Sequence, residues 1–94
     1  MKKMKIRLAD YIANFLADRG VTDCFTVVGG GAMHLNDAFG HNDRIHCTYN
    51  HHEQASAIAA EAYARLNNKI AALCVTTGPG GTNAITGVVG GWLD

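Results

Sequence analysis

Glutamate occurs at only two positions, Glu53 and Glu61, and their settings differ in a way that bears on chemistry. Both fall in the segment His52 to Leu66, whose pattern predicts a helix. At about 100° per residue, Gln54, Glu61 and Arg65 form a narrow polar stripe, with Glu61 and Arg65 correctly spaced for an exposed ion pair. Glu53 lies in line with Ala57, Ala60 and Ala64, a strip of methyl groups that lets another element approach closely. Ala55, Ile58, Ala59, Ala62, Tyr63 and Leu66 gather on a broad face expected to cover a sheet, so the helix is predicted to be sandwiched, its second partner another subunit. A first-turn carboxylate has an ordinary reading, stabilisation of the helix dipole. A carboxyl group on an apolar surface is also suited to proton chemistry.

Other side chains could join Glu53. His51 and His52 immediately precede it and either line the same pocket or act as polar residues at a helix start. His46, His51, His52 and Cys47 are close in sequence, but their spacing matches no strong zinc pattern, and strand alternation puts His46 and Cys47 on opposite faces. Two glycine-rich turns, Gly29-Gly30-Gly31 and Gly78-Pro79-Gly80-Gly81, each follow a predicted strand and precede a predicted helix. That puts them at the carboxyl end of a parallel sheet, where ligands bind. Neither carries a G-x-G-x-x-G fingerprint or the lysine of a Walker loop. Cys24, Cys47 and Cys74 lie in apolar or strand-like runs and are expected to be core thiols in a reduced, cytoplasmic protein.

The elements that must position these groups follow from periodicity. Leu8, Tyr11, Ile12, Phe15 and Leu16 recur at helical spacing between Arg7 and Arg19, with Gly20 as a stop. Asp23 to Val28 reads as a buried strand, Ala32 to Phe39 as a helix, Gly40 to Asp43 as a turn, and Ile45 to Tyr49 as a strand. Ile70 to Thr77 is a near-continuous apolar run typical of a strand covered on both faces. Thr82 to Leu93 reads as a last helix, capped by Thr82 or Asn83. This alternation predicts an α/β fold, a parallel sheet flanked by helices with right-handed crossovers. With three strands and a last helix that would normally lead into another strand, residues 1–94 are expected to form an incomplete domain.

Composition narrows the function class. Eight basic and eight acidic side chains cancel, leaving no field to attract nucleic acid or an anionic membrane. The basic start, Lys2, Lys3 and Lys5, leads into an amphipathic pattern, so neither a signal peptide nor a membrane span is expected.

Taken together, Asn50-His51-His52-Glu53-Gln54-Ala55, Ala60-Glu61-Ala62-Tyr63-Ala64-Arg65, Thr77-Gly78-Pro79-Gly80-Gly81-Thr82-Asn83 and Thr86-Gly87 resemble the amino-terminal, pyrimidine-binding domain of the acetolactate synthase, pyruvate oxidase and 2-oxo-acid decarboxylase family. The resemblance runs from Leu8 to Asp94 and implies the first half of a thiamine-diphosphate-binding fold. It implies that Glu53 hydrogen-bonds N1′ of the cofactor's aminopyrimidine and so promotes removal of the thiazolium C2 proton, after which a 2-oxo acid is decarboxylated or joined to a second carbonyl compound. It further implies that Pro79, Gly80 and Asn83 lie on the pyrimidine side, and that Gly29, Gly30, Gly31 and His52 border the substrate cavity. The family's Mg²⁺ and diphosphate site belongs to a later domain outside this sequence. A second subunit completes the active site, giving a homodimer or homotetramer, and this chain alone is not expected to turn over substrate. The first turn reads Val27-Val28-Gly29-Gly30-Gly31-Ala32, without the proline of the V-F-G-x-P-G form common in acetolactate synthases. The alternative to an enzyme is a non-catalytic binding or assembly module of the same fold, whose sign would be a missing or displaced glutamate. An unrelated nucleotide-binding domain would need a phosphate fingerprint.

Overall fold

The computed structural model describes residues 6–93; Lys2, Lys3, Lys5 and Asp94 lie outside them. The order is α1 (Leu8–Asp18), β1 (Asp23–Thr26), a 3-10 turn (Gly30–Ala32), α2 (Met33–Gly40), β2 (His46–Tyr49), α3 (Glu53–Asn67), β3 (Ala72–Cys74) and α4 (Pro79–Leu93). The three strands form a parallel sheet in the order β2-β1-β3. Cys24 pairs with Cys47 on one side and Ala72 on the other, and Thr26 with Tyr49 and Cys74. The α/β architecture is therefore the one predicted.

Helix α1 ends as its sequence dictates. Gly20 adopts φ +88°, and the Gly20 and Val21 amides donate to the carbonyls of Ala17 and Leu16, the double closure that a left-handed glycine allows. Ala9 and Ala13 are buried, with Ile12 and Leu16 packed beside them. With Ala38 and Phe39 of α2, Ile45, Cys24 and Cys74 they form the core on one face of the sheet. Phe25, one residue beyond Cys24, points the other way and meets Tyr63 of α3 edge to face, with ring centroids 5.9 Å apart. Helices α1 and α2 thus cover one face, and α3 and α4 the other.

Helix α3 is packed on two sides, against the sheet and against α4, but through other residues and another partner than expected. Ala55, Ile58, Ala62 and Leu66, expected on the sheet, are exposed, Leu66 at 85%. Of that set only Ala59 and Tyr63 are half-buried. The strip below Glu53 is the packed one, and its partner is α4 of the same chain. A Cβ at Gly87 would collide with the Cβ of Ala57, so the two helices meet backbone to backbone. Methyl-sized side chains allow that approach, and bulk on Ile58 and Leu66 does not; the helix rolls accordingly. Glu61 and Arg65 form the expected ion pair, at 2.8 Å.

Boundaries shift at two other places. Strand β3 spans only Ala72–Cys74 and lies at the sheet edge, so Ile70 is 76% exposed instead of covered on both faces. The second glycine-rich segment is largely helical: α4 begins at Pro79, whose missing N–H costs nothing in a first turn. Gly78 alone takes a left-handed conformation, φ +65°. Thr82 and Asn83 are consequently inside the helix and not its caps, and the Thr82 hydroxyl donates to the carbonyls of Gly78 and Pro79.

The cysteines are core thiols. Cys24 and Cys74 are buried, and burial, reinforced by the neighbouring thiols, pushes Cys24 up to about 12. Burial also raises Cys74 and Cys47, so none is poised as a thiolate nucleophile. Among the described residues no helix is long and apolar enough to cross a membrane.

Candidate functional site

Because all three strands are parallel, the segments leaving their carboxyl ends emerge on one edge of the sheet: Val27 to Gly31 from β1, Asn50 to His52 from β2 and Val75 to Gly78 from β3. Helices α3 and α4 both start there. Glu53 is the first residue of α3, where the helix dipole favours a carboxylate. The turn leading to it is tied down at several points. Asn50 N–H donates to Thr26 O at 2.9 Å, and the Ser56 hydroxyl, fully buried, donates to Asn50 Oδ1 at 2.8 Å. Ser56 N–H closes the first helical turn on His52 O at 3.1 Å.

The start of α4 brings two predicted residues to Glu53. Asn83 Nδ2 donates to Glu53 Oε1 at 3.2 Å. Gly80 is buried, and a Cβ placed on it would lie 3.8 Å from Glu53 Oε2, so the missing side chain keeps that oxygen's surroundings open. Asn83 therefore orients the carboxylate through one oxygen and leaves the other toward Gly80. Pro79 opens the helix that delivers both.

The first glycine turn reaches the same region from β1. Gly29 N–H donates to Asn36 Oδ1 at 3.3 Å, while Asn36 Nδ2 donates to the buried Thr26 hydroxyl at 3.3 Å and to Cys74 Sγ at 3.7 Å. Gly31 N–H donates to Thr76 Oγ1 at 3.0 Å. Gly30 is exposed, and a side chain there would meet nothing within 4 Å. His52 is exposed, and its Nδ1 accepts from Gln54 N–H at 3.0 Å, capping α3. That bond places the proton of the neutral ring on Nε2 and gives His52 a structural task beside its predicted one. His51 is exposed.

Three residues at this edge were not singled out from the sequence: Asn36, Ser56 and Thr76. Ser56 and Asn36 stand in helical runs with no local mark of their long-range bonds. Thr76 directly precedes the Thr77-Gly78-Pro79 motif and had a positional signal. Among the described residues, no group of three or more His, Cys, Asp or Glu side chains could hold a metal ion. The concavities of about 410 Å³ between α3 and α4, and about 390 Å³ beside β3, do not include Glu53, which stands on the open rim of the sheet.

The family described as thiamine pyrophosphate enzyme, N-terminal TPP binding domain, matches residues 6–94. The chain belongs to this thiamine pyrophosphate enzyme family. Among curated relatives, the acetolactate synthase large subunit of Haemophilus influenzae is 37% identical over 90 residues, covering 96% of this chain and 16% of the relative. That of Lactococcus lactis is 35% identical over 98 residues, covering 100% of this chain and 17% of the relative. The acetolactate synthase isozyme 3 large subunit of Escherichia coli is 35% identical over 86 residues, covering 92% and 15%. The chain thus spans about a sixth of the length of the first of these relatives.

Proposed function

We propose that this chain supplies the pyrimidine-side half of a thiamine-diphosphate-dependent active site that acts on a 2-oxo acid, by decarboxylation or by acetolactate synthase-like carboligation. The observation that carries this reading is the bond from Asn83 to Glu53 Oε1 beside Gly80, on the sheet edge where both glycine turns end. Residues Glu53, Pro79, Gly80 and Asn83 would hold the aminopyrimidine, and Gly29, Gly30, Gly31 and His52 would border the substrate. When bound, the cofactor supplies an electron sink for the carbanion left as carbon dioxide departs.

The chain's own work is to hold a proton in place. Glu53 would present Oε2 to a ring nitrogen of the heterocycle for proton exchange, while Asn83 would keep Oε1 from rotating into the same role. The close contact between Ala57 and Gly87 fixes the spacing of α3 and α4 below the carboxylate. Mg²⁺ and the diphosphate require ligands from outside these residues. A second subunit would close the open rim, giving a homodimer or homotetramer, and the reduced core thiols accord with a cytoplasmic enzyme. The acetolactate synthase relatives support the substrate class.

The test replaces the matching segment of the Haemophilus influenzae relative with this chain and compares 2-oxo-acid turnover of the chimera with its Glu53→Gln form. Turnover is expected to fall by about 10²–10⁴-fold with cofactor binding retained, the usual weight of a positioned proton-transfer group. Equal turnover in the two forms would refute the assignment of Glu53.

A further inference from the structure

Three glycines, two from the turn after β1 and one from the first turn of α4, stand close to the side chain of Thr76. A Cβ at Gly29 would stand 2.5 Å from Thr76 Cβ, one at Gly80 would stand 2.8 Å from Thr76 Cγ2, and one at Gly31 would stand 2.9 Å from Thr76 Oγ1 and 2.7 Å from Thr77 Oγ1. Such separations are too short for real side chains, so each turn reaches Thr76 only because it carries glycine there. The convergence follows from register. Thr26 pairs with Cys74, so β1 and β3 leave the sheet side by side, and the Gly29–Gly31 turn runs alongside Thr76.

The two branches of Thr76 have different tasks. Its hydroxyl accepts from Gly31 N–H, while its methyl lies between the segments, 2.7 Å from a Cβ at Gly29 and nearest of all atoms to one at Gly80, beyond which lies Glu53 Oε2. A β-branched side chain is stiff about χ1, so a hydroxyl fixed by Gly31 also fixes the direction of the methyl. Valine would keep the shape and lose the bond; serine would keep the bond and lose the methyl. Threonine combines both in that volume.

We propose that Thr76 is a positioning residue for both halves of the site, its hydroxyl holding the Gly31 amide and its methyl, wedged between Gly29 and Gly80, setting the distance of Gly80 from Glu53. This inference rests on the function proposed above for Glu53 and Gly80. It adds a residue that couples the pyrimidine side to the substrate side without touching the reacting atoms.

The experiment uses isotope-labelled protein in the parent, Thr76→Val and Thr76→Ser forms, with circular dichroism confirming equal folding. Amide exchange at Gly31 and the amide resonance of Gly80 are read first. The probe is then the free aminopyrimidine alcohol of thiamine, 4-amino-5-hydroxymethyl-2-methylpyrimidine, titrated while following Gly80 and Asn83. Thr76→Val is expected to speed exchange at Gly31 by about fivefold or more, the loss of one hydrogen bond, while probe affinity holds. Thr76→Ser is expected to keep Gly31 protected, shift the Gly80 resonance and weaken the probe by about fivefold, the effect of one missing methyl. Identical behaviour of the two variants, or the reverse assignment of their effects, would overturn the proposal. If the probe shifts nothing in the parent, the reading of Glu53 and Gly80 as a pyrimidine site fails, whereas the split between Gly31 and Gly80 still decides whether Thr76 governs both turns.

Discussion

The two faces of the sheet are built on opposite principles. The α1–α2 face is held by side-chain volume: Phe39 and Ile45 fill the space between buried alanines and the thiols of Cys24 and Cys74. On the other face Phe25 and Tyr63 seat α3 on the sheet, but the α3–α4 contact is held by the absence of volume. Ala57 meets Gly87 backbone to backbone, Ser56 and Ala84 are buried nearby, and the bulky Ile58, Leu66, Ile85, Val88 and Trp92 stay exposed. Volume tolerates small rearrangements of side chains, while backbone contact fixes the spacing of two helices. The face that carries Glu53 is the second kind, which suits a site whose carboxylate must meet an asparagine from another helix.

The largest expected effect sharpens this contrast on the volume side. Phe39→Ala removes the largest buried side chain of the α1–α2 core and should lower stability by about 3–5 kcal/mol in denaturant unfolding. A loss under 1 kcal/mol, the scale of a surface change, would mean that face is not volume-held.

Gly87→Ala probes the other face with the opposite change, a methyl added. The new Cβ would collide with Ala57 and approach Ile58 N at 3.1 Å, so a loss of about 1–3 kcal/mol is expected, with partial recovery when Ala57→Gly is added. The same variant should disturb the Asn83–Glu53 bond, read as a shifted Asn83 side-chain resonance, because α3 and α4 must move apart. Unchanged stability would break the comparison.

The smallest effect under ordinary conditions concerns pH. The folded-state value of Cys24 is raised from 9.0 to about 12, so its contribution to stability is complete below 9.0 and is lost as pH rises through that interval. Parent and Cys24→Ala should therefore converge in unfolding free energy on going from 9.0 toward 12. A difference that stays constant would show that the thiol is not shielded.

Much of the architecture was legible along the chain because the signals were local. The spacing of Leu8, Ile12 and Leu16, the left-handed Gly20 and the strand–glycine–helix order each involve neighbours within a few residues. Pro79 was misread for a local reason as well: a Gly-Pro-Gly-Gly run favours a turn, and the helix that starts inside it is stabilised by contacts with α3. The site was legible in part. Glu53, Gly80 and Asn83 do come together, whereas a side chain at Gly30 would meet nothing within 4 Å and the Nδ1 of His52 is engaged in capping.

By itself, then, the sequence determined which elements form, in what order, and which carboxylate stands at the start of a helix beside apolar neighbours. Tertiary structure alone decided which face of α3 is buried, which oxygen of Glu53 Asn83 holds, and that Thr76 meets glycines 45 and more residues earlier in the chain. The physical reason is range. Periodicity and capping are written in adjacent residues, but the roll of a helix and the convergence of two turns depend on strand register and on how closely two backbones can approach.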